Sequence, residues 1–134
     1  MILSMSRYAL DSFAILAFIQ QEAGWDYVRD MLSEAANGRL ELHISAINLA
    51  EVQYKIMRRD SDPTQRLAWL EALPLRVAPA DPHIPQVVKL KARYPVSLAD
   101  CFAVALAQSL ECPVVTGDPE FRKLEDVVKV EWLK

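Results

Sequence analysis

The sequence has little of the glycine, cysteine and long apolar runs that mark disordered, disulfide-linked and membrane-spanning proteins. Of its 134 residues only three are glycine and two are cysteine, while 52% are hydrophobic and 25% are charged. This balance is typical of one compact soluble domain covering residues 1–134, and it excludes low-complexity and disordered chains. No stretch approaches eighteen uninterrupted apolar residues, so we expect no transmembrane helix and no membrane partner.

Two further absences bear on the compartment in which the protein works. Residues 1–7 contain no long apolar segment behind a basic start, so a signal peptide is not expected. Cys101 and Cys112 lie in apolar surroundings and form neither a metal-binding nor a redox spacing. We therefore expect buried, reduced thiols in a cytoplasmic protein.

An excess of positive charge is also missing. The chain has 15 Lys and Arg residues against 18 Asp and Glu residues, a formal net charge of −3. A generic nucleic-acid coat protein would usually be basic, so this class is not favoured. When the four acids discussed below are set aside, the remaining charge is 15 − 14 = +1. An acidic pocket is therefore compatible with local basic surface.

What the chain does contain is a regular alternation of strand and helix patterns, which predicts an α/β fold with a parallel, doubly wound sheet. The predicted strands are residues 7–11, 40–45, 74–78, 113–116 and 127–132. Four helices are predicted over residues 12–21, 24–36, 46–59 and 97–110. Two others start at Asp62-Pro63 and at Asp81-Pro82, and the second of these is broken at Tyr94-Pro95. A short helix follows the turn at residues 117–119.

Four acidic residues stand near the predicted strand ends or within an apolar helix. Asp11 ends the first strand and Asp118 follows the fourth, while Asp100 is the only charge in residues 97–110. Because ligands of open parallel sheets bind at the carboxyl ends of the strands, we expect these acids to meet there. Glu51 is the fourth candidate, and it has the weakest signal.

Asp11 and Asp118 each have an ordinary structural alternative. Asp11 would serve as the N-cap of the first helix. Asp118 precedes a proline, which is a common way to start a helix, and the chain repeats this dipeptide at Asp62 and Asp81. The short strand just before Gly117 is what distinguishes Asp118 from the other two.

Asp100 and Glu51 have alternatives as well. Asp100 would complete a capping-box variant with Ser97, although a carboxylate among small apolar side chains also needs a partner, because burying an isolated charge is costly. Glu51 would pair with Lys55 four residues on, a contact worth about 0.3–0.5 kcal/mol.

The four acids stand in four short motifs, which are Leu10-Asp11-Ser12, Asn48-Leu49-Ala50-Glu51, Ser97-Leu98-Ala99-Asp100-Cys101 and Val115-Thr116-Gly117-Asp118-Pro119-Glu120-Phe121. Each motif is short and degenerate, but the four in this order are fairly specific. Together they resemble the PIN domain, and specifically the VapC toxins of bacterial and archaeal toxin–antitoxin pairs. The similarity extends over nearly the whole chain.

The resemblance implies a PIN-like three-layer sandwich with a five-stranded parallel sheet in the order 3-2-1-4-5. Strands one and four are then neighbours, about 4.8 Å apart, so that Asp11 and Asp118 could share an ion. Asp81 follows the edge strand, would lie about 10 Å away, and is excluded. The implied metal-site acids are Asp11, Glu51, Asp100 and Asp118, with Ser12, Ser97 and Thr116 as supporting hydroxyls.

The same resemblance implies a divalent-metal-dependent endoribonuclease toxin that leaves a 5′-phosphate product. It also implies a cognate VapB-like antitoxin, which inserts Arg or Lys among the acids, and a homodimer. Oxygen-only ligands favour Mg²⁺ or Mn²⁺ over zinc, because His43 and His83 stand in no ligand pattern. The candidates for an RNA track, each with a solvated helix face as its alternative, are Lys55, Arg58, Arg59, Lys89, Lys91 and Arg93.

Rival functions remain open at this stage. A catalytically silent PIN-like module that only binds RNA or protein is the main alternative. A receiver-like signalling domain would need an acidic pair near the first strand and a Lys after the last, and neither is clearly present. A phosphatase of the haloacid type would need a second Asp where Phe13 stands.

Overall fold

The computed structural model describes residues 5–134. Most of the N-terminal segment on which the signal-peptide expectation rests, residues 1–4, therefore lies outside the described residues. Within residues 5–134, no helix has both the length and the apolar character needed to cross a membrane.

Five parallel strands form one sheet, and their order, β3-β2-β1-β4-β5, is the one that the resemblance to the PIN domain implies. The three-layer α/β fold is thus confirmed. The strands are β1 (Ser6–Leu10), β2 (Leu40–Ser45), β3 (Arg76–Ala78), β4 (Val114–Thr116) and β5 (Val130–Trp132). β3 and β5 are shorter than predicted, because residues 74–75 and 127–129 connect elements instead of joining the ladder.

All of β4 and the last two residues of β1, Ala9 and Leu10, are buried, as expected for the centre of a parallel sheet covered by helices. Successive residues point to opposite faces, so Ala9 and Val114 belong to one core cluster while Leu10 and Val115 belong to the other. The register Ala9↔Val114 and Leu10↔Val115 sets these pairs side by side. This alignment brings the residues that follow the two strands to the same point.

Helices cover both faces of the sheet. The cluster containing Leu10 draws on the first four helices, and the cluster containing Ala9 draws on the last two. The helices are α1 (Ser12–Gln20), α2 (Trp25–Ala36), α3 (Ala46–Arg59), α4 (Thr64–Ala72), α5 (Ile84–Arg93) and α6 (Leu98–Leu110), with 3₁₀ turns at Asp81–His83 and Pro119–Leu124.

Two predicted helix starts need correction. Pro63 was expected at the first helical position, but it stands just before α4 and Asp62 accepts a hydrogen bond from the Thr64 N–H at 3.2 Å. Asp81-Pro82 was expected to open α5 directly, but a 3₁₀ turn comes first. In both cases proline fixes its own φ without dictating where the α-helical hydrogen bonding begins.

Candidate active site

Asp11 follows β1 directly and is almost completely buried, with 2% of its surface exposed. One carboxylate oxygen, Oδ1, accepts a hydrogen bond from the Ala14 N–H at 2.9 Å, so Asp11 is the N-cap of α1. The other, Oδ2, accepts a hydrogen bond from the Thr116 hydroxyl at 2.5 Å. Because Thr116 ends β4, this contact depends on the pairing of β1 with β4.

Burial raises the pKa of Asp11 to about 7, from an ordinary value of 3.8. The hydrogen bonds from Thr116 and Ala14 oppose this shift because they favour the charged carboxylate, whereas the negative charges of Asp100 and Asp118 add to it. Three of the predicted acids are therefore close enough to repel one another electrostatically.

Thr116 also holds Asp118. Its Oγ accepts a hydrogen bond from the Asp118 N–H at 3.0 Å while its hydroxyl proton goes to Asp11. Asp118 in turn accepts a hydrogen bond from the Glu120 N–H at 3.0 Å and so caps the 3₁₀ turn that follows. A single hydroxyl at the end of β4 thereby connects the Asp11 carboxylate to the backbone of Asp118.

Asp100 enters the site from the first turn of α6. The Ser97 hydroxyl oxygen accepts a hydrogen bond from the Asp100 N–H at 3.1 Å, so Ser97 is the N-cap and Asp100 occupies the third helical position. Partial burial raises the pKa of Asp100, and the charges of Asp118 and Glu51 raise it further. Burial and two neighbouring acids thus act together on this carboxyl group.

Glu51 reaches the site from α3. It accepts a hydrogen bond from the Ser12 hydroxyl, and the Lys55 Nζ atom lies 3.7 Å from its other oxygen. The helix itself is tied to α6 by the buried residue Asn48, whose Nδ2 donates a hydrogen bond to the Ala99 carbonyl at 3.1 Å. Sequence reasoning gave Asn48 no role, because only the fold shows what its side chain reaches.

An open cavity of about 480 Å³ collects these side chains at the carboxyl end of the sheet. Glu51, Asp100 and Asp118 line it, and Asp11 is buried beside it between Thr116 and the start of α1. The rest of its lining is Ser12, Phe13, Lys55, Lys91, Pro95, Val96, Ser97 and Glu120. Asp81 is not among these residues, in agreement with its exclusion.

The ordinary roles weighed for these acids are also found in the structure. Asp11 and Asp118 are helix caps, the capping bond of Ser97 goes to the Asp100 N–H, and Glu51 approaches Lys55. These structural roles do not prevent a functional one. Asp11 and Asp118 each use only one carboxylate oxygen for capping, and the capping bond at Asp100 uses its backbone N–H and neither carboxylate oxygen.

A second cavity, of about 520 Å³, opens next to Arg7 and Glu41, at the amino ends of the central strands. There the carboxylate of Glu41 is already compensated, with nitrogen atoms of Arg7, His43 and Arg76 at 3.3, 3.0 and 3.7 Å. These contacts lower the pKa of Glu41, the hydrogen bond from His43 contributing most. The first cavity is slightly smaller but differs in its electrostatics, because the pKa values of Asp100, which lines it, and of Asp11 beside it are raised and not lowered.

The donor set of the first cavity fits a hard divalent cation, since it consists of carboxylate and hydroxyl oxygens without histidine or cysteine. The raised pKa values of Asp11 and Asp100 indicate carboxylates that lack the positive charge needed to stabilise their ionised forms. Among residues 5–134, no three acidic, His or Cys side chains already form a preorganised metal-binding group. The carboxylates therefore lie around one cavity, but they are not already arranged as a complete set of metal ligands.

Of the six basic residues proposed for an RNA track, Lys55 and Lys91 line the cavity. Lys91 is held there by a hydrogen bond from its Nζ to the Val96 carbonyl at 2.6 Å. Arg58 and Arg93 instead lie over the rings of Tyr54 and Tyr94. Two of the six candidates thus lie at the cavity itself, and the other four are not part of its lining.

Comparison with known proteins agrees with this geometry. The family model of the PIN domain matches residues 8–127, a span that contains all four acids. The chain belongs to the PIN domain family. A search of curated proteins gives no significant match.

Solved structures related to this PIN domain share its fold over almost its full length. VapBC2 from Rickettsia felis, bound to a DNA fragment from its promoter, is 17% identical with a TM-score of 0.70, covering 96% of this chain and 99% of that one. VapC20 of Mycobacterium tuberculosis, a sarcin-ricin loop-cleaving toxin, is 16% identical with a TM-score of 0.70 (92% and 98% covered). VapBC-1 of nontypeable Haemophilus influenzae is 21% identical with a TM-score of 0.69 (95% and 98% covered).

Proposed function

We propose that this PIN domain is a divalent-metal-dependent endoribonuclease toxin of the VapC type. The observation that carries the proposal is the meeting of Glu51, Asp100 and Asp118 in one cavity beside the buried Asp11. Two carboxylates 4 Å apart repel by about 4 kcal/mol at an effective dielectric constant near 20, so such a cluster favours binding of a cation.

The ion is proposed to be Mg²⁺ or Mn²⁺, held by carboxylate oxygens of Asp11, Asp100 and Asp118, with Glu51 as the fourth acid. When bound, such an ion polarises a phosphodiester, increases the acidity of the attacking water and stabilises the leaving oxygen. The chain's own residues contribute by positioning the carboxylates and by offering lysines to the substrate.

Thr116 orients Asp11 and Asp118 through hydrogen bonds to both residues, and Ser12 and Ser97 do the same for Glu51 and Asp100. These hydroxyls restrict the carboxylates of Asp11 and Glu51 directly, and the backbone that carries Asp100 and Asp118, before any substrate arrives. This restriction reduces the entropy lost on binding. Lys55, 3.7 Å from Glu51, and Lys91 are placed to contact the phosphates of the substrate.

RNA is proposed as the substrate, the cytoplasm as the compartment and a VapB-like antitoxin as the inhibitor. The relatives support the assignments of substrate and inhibitor, since VapC20 of M. tuberculosis is described as cleaving the sarcin-ricin loop and the other two structures named above are VapBC proteins. An antitoxin that places an Arg or Lys side chain among the acids would compete with the metal. We also propose a homodimer, which analytical ultracentrifugation would test.

Asp100→Asn tests the nuclease proposal most simply. The substitution keeps the size of the side chain and the N–H that bonds to Ser97 but removes one negative charge, so we expect divalent-dependent cleavage of single-stranded RNA to be lost while the fold is retained. Cleavage would be measured over a Mg²⁺ and Mn²⁺ titration, with circular dichroism to monitor folding.

Asp81→Asn is the matched control, because it makes the same substitution at an aspartate that lies in the first turn of a helix but outside the cavity. It should cleave as the unmodified protein does. Full activity of Asp100→Asn, or equal loss in both variants, would contradict the assignment of the site. A folded parent protein that cleaves no RNA at any metal concentration would instead favour a PIN module that only binds.

A further inference from the structure

Phe13 is a large apolar residue whose position is not explained by packing of the core. It lies in the first turn of α1 between two buried residues, and 40% of its surface is exposed. The other large side chains of this helix include Ile15, Leu16 and Ile19, all of which are buried. Phe13 instead lines the cavity that contains Glu51, Asp100 and Asp118.

The ring of Phe13 is seated against Gly117, the residue between Thr116 and Asp118. A Cβ atom at position 117 would lie 2.6 Å from the Phe13 Cε1 atom, closer than such atoms approach in proteins, and 3.2 Å from its Cδ1 atom, which is a tight contact. Glycine at this point therefore leaves the space that the ring occupies. Gly117, which the ring contacts, therefore lies in the same turn as Asp118, which lines the cavity.

We propose that Phe13 is a stacking platform for an unpaired base of single-stranded RNA and so a substrate-positioning residue. This inference rests on the proposed nuclease function and extends it to the way RNA is held. A nucleotide joins an apolar, flat base to a phosphate a few bonds away, and aromatic side chains bind such bases with little sequence preference. One cavity here offers an exposed ring, two lysines and the acids.

The surroundings of Phe13 favour a nucleotide over an apolar protein segment as its partner. The cavity is lined by acidic and basic side chains, Glu51, Lys55, Lys91, Asp100, Asp118 and Glu120 among them. An apolar segment would leave these charges desolvated and unpaired, which is costly. A less charged groove of about 430 Å³, between α3 and α4 and lined by residues such as Leu49, Met57 and Leu67, is better suited to an apolar partner.

Binding of a short single-stranded RNA, labelled with a fluorophore and measured by anisotropy, tests this role separately from cleavage. Phe13→Leu removes the aromatic face but keeps an apolar side chain, and we expect it to weaken binding by about 5- to 150-fold. Phe13→Tyr keeps the ring and should restore tight binding. Trp69→Leu is the matched control, because Trp69 is exposed but lies outside the cavity.

Two further measurements separate stacking from a merely structural role. In cleavage assays, Phe13→Leu should raise KM with little change in kcat, since the ring contacts the substrate and not the reacting groups. An RNA with an abasic site scanned along its length should lose affinity for the unmodified protein at one position. The same abasic RNA should lose little for Phe13→Leu, because the contact is already absent.

Each contrary outcome has a distinct meaning. RNA binding and cleavage that are unaffected by Phe13→Leu would overturn the platform and leave the nuclease proposal standing. Binding that depends on Phe13 without any cleavage would overturn the nuclease proposal and retain the platform. Loss of a co-expressed antitoxin from Phe13→Leu, with RNA binding unchanged, would show a protein-binding residue and also overturn the platform. A thermal unfolding curve for each variant excludes global unfolding as the cause.

Discussion

At the scale of single residues, the site depends on carboxyl groups whose ionised forms are unfavourable without a cation. Asp11 shows this most clearly, since it is buried and has a pKa of about 7. A carboxyl group with a raised pKa binds a proton more tightly in the folded state than in the unfolded state. Its contribution to stability is therefore fully present below its usual pKa of 3.8 and is lost as the pH rises through about 7.

We accordingly expect the metal-free protein to lose stability between pH 4 and pH 8, by an amount on the order of a few kcal/mol. Asp11→Asn cannot titrate but still offers an oxygen to the Ala14 N–H, so its stability should depend less on pH over this range. Urea unfolding at several pH values in the presence of a chelator measures both slopes. Identical slopes for the parent protein and Asp11→Asn would show that Asp11 does not titrate as described.

A second residue-scale prediction concerns the contact between Phe13 and Gly117. Gly117→Ala would force the ring aside, because the new Cβ would lie 2.6 Å from Phe13 Cε1 and 3.3 Å from Leu133 Cδ1. We expect a loss of about 1–3 kcal/mol in the free energy of unfolding, as for other overpacked sites. Removing the ring with Phe13→Ala should relieve much of that loss.

The double-mutant cycle formed by these two substitutions measures their coupling directly. A favourable coupling of about 1 kcal/mol in Phe13→Ala/Gly117→Ala would confirm that the glycine is needed to seat the ring. Strictly additive effects would mean that Phe13 and Gly117 act independently, and the clash would then have to be sought at Leu133.

At the scale of elements, the C-terminal cap of α6 has a strained backbone. The cap residue, Glu111, has a φ of 51° and a ψ of 48°, which lie in the left-handed region. Its N–H donates hydrogen bonds to the carbonyls of Ala107 and Gln108. A side chain disfavours this conformation, and glycine is the residue usually found there. Glu111 lines the second cavity, at the amino ends of the strands, and the acidic cavity lies at their carboxyl ends.

Glu111→Gly should therefore raise the free energy of unfolding by about 0.5–1 kcal/mol, the relief of the left-handed conformation being partly offset by the greater freedom of glycine in the unfolded chain. Glu111→Ala is the matched control, because it removes the same carboxylate but keeps a Cβ atom. Thermal or urea unfolding of the three proteins decides the matter. Equal stabilities for the Gly and Ala variants would show that backbone strain at this cap is negligible.

At the scale of the whole molecule, much of the site could be predicted because its parts follow from local patterns and from the strand order. The apolar runs before Asp11 and Asp118 predict strands, and the order 3-2-1-4-5 makes those strands neighbours. The exclusion of Asp81, despite its identical Asp-Pro dipeptide, followed from the same order. The pattern alone was ambiguous for Glu51, and the fold places it in the cavity.

The rest could not be predicted because it depends on contacts between distant segments. Nothing in the sequence shows that Thr116 bonds to both Asp11 and Asp118, or that Asn48 reaches the Ala99 carbonyl. Phe13 fits the apolar pattern of its helix, although it is the one residue of α1 that is exposed. Its orientation becomes clear only once β4 has placed Gly117 beneath it.

Distant segments of the chain bring these carboxylates together, and we propose that they bind a divalent cation there. Anomalous diffraction from crystals soaked in Mn²⁺ tests this most directly. We predict one or two peaks in the cavity, within about 2.5 Å of carboxylate oxygens of Asp11, Asp100 or Asp118, and no peaks there in Asp100→Asn. Diffraction of good quality that shows no manganese among these acids, or shows it only elsewhere on the surface, would contradict the account.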